Sequence, residues 1–284
     1  MLWLVTGAGG MLGRDLCAIL GERGEDVTAA RHGEMDITDA ATVDAAVHGY
    51  DVVVNAAAYT DVDGAERDVE TARAVNTTGA SLLATACARH RVRLVHISTD
   101  YVFDGMATTP YRTDAPTAPR SIYGQTKLAG EQAVLADHPN GATVVRTAWL
   151  YGRHGRNFVT TMARLARERD HVDVVTDQRG QPTWSHDVAV RIADLVEADA
   201  PTGIYHATNT GQTTWYGLAR AVFSQLGLDP DRVRETTTDN FPSLAPRPAY
   251  SVLDHDGWRR AGLGPMRAWE AAFAAAAPVV LADF

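Results

Sequence analysis

The sequence predicts a doubly wound α/β fold, a parallel sheet with helices on both faces, followed by a smaller C-terminal domain. Two observations carry this expectation. Short apolar runs alternate with longer stretches whose apolar residues recur every three or four positions, the pattern of buried strands and amphipathic helices in series. The first run leads directly into a glycine-rich turn that opens a helical stripe.

Buried strands are expected at Leu2–Thr6, Asp51–Asn55, Arg93–Ser98 and Thr143–Arg146, with Val27–Ala30 a shorter one. Met11, Leu12, Leu16, Ile19 and Leu20 form one helical stripe; Ala72, Val75, Leu82, Leu83 and Ala86 form another. Strand, helix and strand in series imply right-handed crossovers. After about residue 150 the pattern loosens. Helices are expected at Met162–Glu168, Asp187–Glu197 and Met266–Ala276, and strands at Val172–Val175 and Gly203–Ala207. Pro182, Pro201, Gly203, Pro242, Pro246, Pro248 and Gly264 mark turns between them.

Length and composition bound the function. With 284 residues, 45% apolar and 21% charged, the chain suits one large domain or two intimate ones and not long-range disorder. The 26 Lys and Arg against 35 Asp and Glu give a formal net charge of −9. An acidic chain lacks the basic face that nucleic acids and anionic membranes require. An anionic small substrate would need local arginines. The two cysteines, Cys17 and Cys87, lie in helical stripes and read as buried thiols rather than a disulfide or metal site. No apolar run is long enough to span a membrane, and Met-Leu-Trp-Leu-Val lacks the charged start of a signal peptide, so a cytoplasmic protein is expected.

Gly7, Gly10 and Gly13 form G-x-x-G-x-x-G immediately after the first strand. The first glycine permits a sharp turn, the second lets backbone approach a pyrophosphate, and the third lets the helix pack on the sheet. The free N–H groups of the helix start then face the phosphates. At the end of the second strand, where an NAD-selective site carries a carboxylate, the sequence reads Ala29-Ala30-Arg31-His32. Arg31 suits a 2′-phosphate and favours NADPH, with NADH the alternative. Asp36 is placed to bond the adenine amine, and Thr38 or Asp39 to cap the next helix.

Tyr123-Gly124-Gln125-Thr126-Lys127 is the most informative segment. Residues four apart share a helix face, so Lys127 would sit beside Tyr123. A tyrosine with an ordinary pKa near ~10 is a poor acid–base group at neutral pH. A neighbouring ammonium stabilises phenolate and lowers that value. Ser98-Thr99-Asp100 ends a buried strand, at the sheet edge where α/β folds bind ligands. Thr99 could there hold a carbonyl oxygen beside Tyr123. His96, inside the same strand, reads as packing. A surface Tyr–Lys contact alone would be unremarkable; the glycine loop, strand-end threonine and Tyr-x-x-x-Lys together point to a nicotinamide-dependent enzyme.

These segments resemble the extended short-chain dehydrogenase/reductase superfamily, and within it the dTDP-4-dehydrorhamnose reductase family. The resemblance rests on Leu4 through Gly13, Met35 through Asp39, Asn55 through Thr60, Ser98-Thr99-Asp100-Tyr101-Val102-Phe103-Asp104-Gly105 and Tyr123 through Glu131. It continues through Arg146 to Gly152, Asn157-Phe158-Val159, Asp177-Gln178-Arg179-Gly180-Gln181-Pro182-Thr183, Gly203 through Ala207, and Arg247-Pro248. It implies a Rossmann domain over residues 1–150. A nucleotide-sugar domain would occupy most of 151–284, with about 186–212 returning to the first domain. It also implies reduction of the C4 ketone of a dTDP-4-dehydro-6-deoxyhexose, foremost dTDP-4-dehydro-L-rhamnose, by a monomer or homodimer. Tyr123 matches the proton donor, Lys127 its partner and Thr99 the hydroxyl that orients the ketone.

The resemblance places Gly7, Gly10, Met11, Leu12, Gly13, Arg31, Asp36, Ile37, Ala56, Ala57, Ala58, Tyr59, Tyr123 and Lys127 at the cofactor. It places Thr99, Asp100, Tyr101, Val102, Phe103, Trp149, Asn157, Phe158 and Arg247 at the substrate. Arg247, then Arg156, is the expected counter-charge for the diphosphate; a solvated surface arginine is the plainer reading. Trp149 and Phe158 suit either the pocket or the core. Some family members share a divalent ion through acidic residues. Arg14 stands at the start of the first helix where one such glutamate is expected, so no metal is anticipated. Reductases of related keto or branched deoxysugars, a 4-epimerase that retains NAD, and a non-catalytic subunit of the same fold are the alternatives. A 4,6-dehydratase would need Thr-Asp-Glu where this chain has Thr99-Asp100-Tyr101.

Overall fold

The computed structural model describes residues 1–284. The chain runs β1 (Leu2–Thr6), α1 (Met11–Glu22), β2 (Asp26–Ala30), α2 (Ala40–Val47), β3 (Val52–Asn55), α3 (Ala80–His90) and β4 (Arg93–Thr99). It continues through α4 (Ile122–Asp137), β5 (Ala142–Thr147), α5 (Phe158–Glu168), β6 (Val172–Val175), α6 (Ser185–Glu197) and β7 (Gly203–His206). The last elements are α7 (Trp215–Gln225), β8 (Val233–Thr236) and α8 (Trp269–Val280). Six strands form one parallel sheet in the order β2-β1-β3-β4-β5-β7. The order reverses between β1 and β3, and crevices at such switch points, beyond the strands' carboxyl ends, are where these sheets bind ligands.

Each face of the sheet has its own core. On one side Leu12, Leu16, Ile19 and Leu20 of α1 meet Val188, Ile192, Leu195 and Val196 of α6 over Val5, Val54 and Val95. On the other, Val43, Val47, Leu83, Cys87 and Val134 from α2, α3 and α4 cover Leu4, Val53, Leu94 and Val144. A fully buried leucine such as Leu16 is worth about 2–5 kcal/mol against alanine. A third core joins α5, α7, α8, β6 and β8 through Val159, Met162, Val172, Leu218, Phe223, Val233 and Phe273. Although α6 and β7 follow this C-terminal unit's first elements, α6 packs on α1 and β7 extends the main sheet, with Tyr205 opposite Val145.

The expected elements are present with shifted ends. Asp51 falls just before β3, and its carboxylate accepts from the Leu2 backbone N–H at 2.7 Å. The last helix starts at Trp269, whose N–H is held by the Thr210 carbonyl at 2.9 Å, and runs through Pro278 to Val280. Helix α7 and strand β8 were not anticipated. β8 reads Val-Arg-Glu-Thr and is a strand because it pairs in parallel with β6, Val233 against Val172. The second helical stripe is interrupted by a π-helical turn at Ala74–Gly79, preceded by a short helix at Val69–Arg73. Cys17 is half-buried, Cys87 is buried, and neither is in a disulfide. No helix is long and apolar enough to cross a membrane.

Candidate active site

The glycine loop has the steric demands its spacing implies. Gly7 has φ +66°, and a Cβ there would lie 2.5 Å from the Ala57 nitrogen. A Cβ on Gly13 would lie 2.4 Å from the Gly7 carbonyl oxygen, so the start of α1 packs directly on the turn. Gly10 caps α1 without a side-chain bond, leaving the first-turn N–H groups free. They face a cleft of about 750 Å³ that runs from the glycine loop to Tyr123 and Lys127. Gly7, Gly10, Met11, Leu12, Gly13, Asp36, Ile37, Ala56, Ala57, Ala58 and Tyr59 all line it.

The adenosine end is less simple. Asp36 accepts from the Thr38 N–H at 2.9 Å and the Thr38 hydroxyl at 2.7 Å, bonds that hold its carboxyl below the usual range. Asp39, not Thr38, caps α2 through the Thr42 N–H. Arg31 is exposed and outside the cleft wall, although its stem passes the glycine loop, with Cγ 3.8 Å from where a Gly9 Cβ would sit. His32, its neighbour, does line the cleft and was missed by the sequence reading.

Asn76 is a second omission. It sits in the π-helical turn, and its amide bonds the Tyr59 N–H at 2.9 Å, the Tyr59 carbonyl at 3.1 Å and the Thr126 hydroxyl at 3.1 Å. One buried side chain thus ties the cleft wall to the helix that carries Tyr123 and Lys127. Glu66 adds a second tie by accepting from the Ile122 N–H at 2.8 Å, at the first turn of α4.

Thr99 ends β4, and Tyr123 and Lys127 share the inner face of α4, all on the cleft. The Lys127 ammonium donates to the Ile97 carbonyl at 2.6 Å. Burial pushes its pKa down to about 8, against the opposing pull of Glu131. Tyr123 corrects an expectation. Burial raises its pKa to about 12, outweighing the Thr99 hydroxyl that faces it, and Lys127 does not lower it in this arrangement. A desolvated phenol is thereby held in its protonated, donor form. Asp100 is buried beside Thr99, and its carboxyl is pushed up to about 6. His96 is buried with its Nδ1 against the Asn55 amide at 3.1 Å, in line with a packing role.

The substrate-side residues divide. Tyr101 and Trp149 line the main cleft; Val102 and Phe103 do not, because they close a small apolar core with Tyr111 and Leu253. Phe103 stacks on Tyr111 with centroids 4.2 Å apart. Asn157 is a helix cap: its oxygen accepts from the Thr160 N–H at 3.1 Å and its nitrogen donates to the Gly152 carbonyl at 2.9 Å. Phe158 and Arg247 line a second cavity of about 530 Å³, with Met162, Val174 and Trp215. Trp149 takes a left-handed φ of +46° and lies flat on Trp215, centroids 3.5 Å apart, so the two rings separate the cavities. Arg156 reaches the main cleft, whereas Arg247 is paired with Asp63 at 2.6 Å.

The glycine loop at the sheet's switch point, together with the Thr99, Tyr123 and Lys127 cluster, defines an extended short-chain dehydrogenase/reductase. More narrowly, the chain belongs to the RmlD substrate binding domain family, whose model matches residues 1–280. It is 54% identical to a Streptomyces antibioticus protein named probable dTDP-4,6-dihydroxy-2-methyloxan-3-one 4-ketoreductase, over 99% of this chain and 96% of that one. It is 53% identical to the dTDP-4-dehydrorhamnose reductase of Streptomyces griseus, over 98% and 93%. The crystal structure of dTDP-4-dehydrorhamnose reductase from Bacillus anthracis in complex with NADP superposes with a TM-score of 0.93. That enzyme is 38% identical over 97% of this chain and 98% of its own.

Proposed function

We propose that this protein reduces the C4 ketone of a dTDP-4-dehydro-6-deoxyhexose with NADPH, dTDP-4-dehydro-L-rhamnose being the first substrate to test. The observation that supports this most is the single cleft joining uncapped N–H groups of α1 at one end to Thr99, Tyr123 and Lys127 at the other. The residues fit a dinucleotide. Gly7 and Gly13 leave no room for a Cβ, and the free helix N-terminus suits a pyrophosphate. Arg31 and His32 would meet the 2′-phosphate; Ala56 through Tyr59 would line the wall beside the ribose.

When bound, the reduced nicotinamide supplies the hydride. The Tyr123 hydroxyl gives the proton to the ketone oxygen, and the Thr99 hydroxyl holds that oxygen in line. Lys127 binds the ribose and so holds the nicotinamide in place beside Thr99 and Tyr123. The Trp149 ring forms one wall for the hexose, and Arg156 and Arg247 flank the path of the diphosphate towards the second cavity. The names of the two Streptomyces relatives support the substrate class and leave the hexose open between a rhamnose precursor and a related 4-keto sugar.

The test is to supply NADPH with a panel of dTDP-4-keto sugars, follow nicotinamide absorbance and identify each product. Consumption of NADPH with stoichiometric 4-hydroxy product supports the reading. Tightly retained NAD and interconversion of epimers without net NADPH use would replace it with an epimerase.

A further inference from the structure

Thr99 has one proton and two lone pairs, and its surroundings compete for them. Its oxygen accepts from the Tyr101 N–H at 3.2 Å and lies 2.9 Å from Asp100 Oδ1. Tyr123 faces it from α4. An ionised Asp100 can only accept, so the Thr99 hydroxyl donates its hydrogen bond to it. The remaining Thr99 lone pair then attracts the Tyr123 hydroxyl. Both donors intended for a ketone are turned away from it. A protonated Asp100 reverses the chain: its O–H donates to Thr99, filling the second lone pair. The Thr99 proton is released towards the cleft, and Tyr123 is free to point the same way.

We propose that Asp100 is a positioning residue that sets the direction of the Thr99 hydroxyl, and that the reductive form of the site carries a proton on the Asp100 carboxyl. This rests on the reductase reading above. The geometry favours the neutral acid. Asp100 is 3% exposed and its Oδ2 has no hydrogen-bond partner, an unfavourable position for a full charge. Of the elements packed against it, α4 presents Tyr123, its own turn presents Tyr101, and the segment before Leu253 presents the buried Ser251 hydroxyl. Both tyrosines are pushed up by burial and are neutral. Lys127 is engaged by Ile97, Arg247 by Asp63, and no cation pairs with Asp100. Burial pushes its carboxyl up to about 6, outweighing the Ser251 and Thr99 hydroxyls and the Asp100 and Tyr101 N–H groups that favour the charged form, and the negative charge of a bound diphosphate acts in the same direction as burial.

The experiment combines pH profiles with a direct titration. Under saturating NADPH and sugar, wild-type turnover should decline as pH rises through the Asp100 titration. Asp100→Asn, whose amide donates to Thr99 at every pH, should lose that alkaline limb. Thr99→Val removes the intermediary, so adding Asp100→Asn to it should change neither rate nor profile. A limb near pH 6 that persists in Asp100→Asn, as distinct from the Lys127 limb near 8, or additive effects of the two substitutions, would overturn the proposal. The second readout does not depend on turnover: difference infrared spectra of the NADP⁺ complex should show a protonated carboxyl band that grows as pH falls through about 6 and that Asp100→Asn removes. Its absence overturns the proposal even if NADPH is consumed. Its presence in a protein that reduces no dTDP-4-keto sugar would instead show that the reductase reading has failed.

Discussion

The Arg247 guanidinium donates to the Asp63 carboxylate at 2.6 Å, and the Ala245 N–H bonds the same carboxylate at 3.0 Å. Residues 245–247 are thereby fastened to the short helix Val62–Ala65, which follows the cleft-lining segment Ala56–Thr60. Arg247 also reaches the second cavity, and its Nη1 is buried without a partner, a donor left over for a substrate oxygen.

Arg247→Ala should therefore raise the KM for the dTDP-sugar far more than it changes the Kd of NADPH. A charge-assisted bond is worth about 1.5–3 kcal/mol, which is about 10–100-fold in affinity. Asp63→Asn should have a smaller effect in the same direction, because it loosens Arg247 without deleting it. Steady-state kinetics with cofactor binding by fluorescence checks both. An unchanged KM in Arg247→Ala would remove Arg247 from the diphosphate path.

Gly180 lies under Trp149. A Cβ there would come 2.4 Å from Trp149 Cε2, and Trp149 is stacked on Trp215 and cannot retreat without breaking that contact. Gly180→Ala should cost about 1–3 kcal/mol of stability through overpacking. It should also weaken sugar binding while NADPH still binds, and change the tryptophan emission. Thermal melts and titration with dTDP-sugar in the presence of NADP⁺ measure these effects.

Arg31→Ala should lower the preference for NADPH over NADH by about 10–100-fold if the guanidinium meets the 2′-phosphate. The comparison is kcat/KM with each cofactor. An unchanged ratio would pass the role to His32, which faces the cleft directly.

Lys127 makes stability depend on pH. Its folded pKa, about 8, lies below the ordinary lysine value of 10.5. The unfolded chain therefore binds the extra proton in that window, and the folded state gains stability as pH rises from about 8 to 10.5. Relative to wild type, Lys127→Met should be stabilised below pH 8, with the difference shrinking as pH rises through that window. Chemical denaturation of the two proteins across this range gives the difference. A difference that grows with pH would contradict the buried-ammonium assignment.

Local spacing made part of the site legible. Gly7, Gly10 and Gly13 act within one turn, and Tyr123 and Lys127 lie one turn apart on α4, so their arrangement follows from helix geometry alone. The doubly wound sheet was legible for a similar reason, since each strand and stripe carries its own periodicity. Asn76 was not, because it acts on Tyr59 and Thr126, 17 and 50 positions away, from a π-helical turn that no apolar pattern announces. Val102 and Phe103 were assigned to the substrate because they adjoin Thr99 in a motif; a motif does not say which side chains the following turn directs into the core. The segment Asp177 through Thr183 was recognisable only as a pattern. Its reasons appear in the fold: Gln178 accepts from the Trp215 indole N–H at 3.1 Å, Gly180 leaves room for Trp149, and Gln181 bonds both backbone groups of Leu253.

The central claim is that Tyr123 protonates a ketone held by Thr99, and single-turnover reduction by Tyr123→Phe tests it most directly. The substitution keeps the ring against Tyr101, whose centroid is 5.6 Å away, and should leave NADPH affinity nearly unchanged. Mixing the preformed NADPH complex with dTDP-4-dehydro-L-rhamnose and following nicotinamide absorbance isolates the chemical step. That rate should fall by about 10²–10⁴-fold, the usual contribution of general acid catalysis. A Tyr123→Phe protein that reduces the ketone at close to the wild-type rate would contradict this claim.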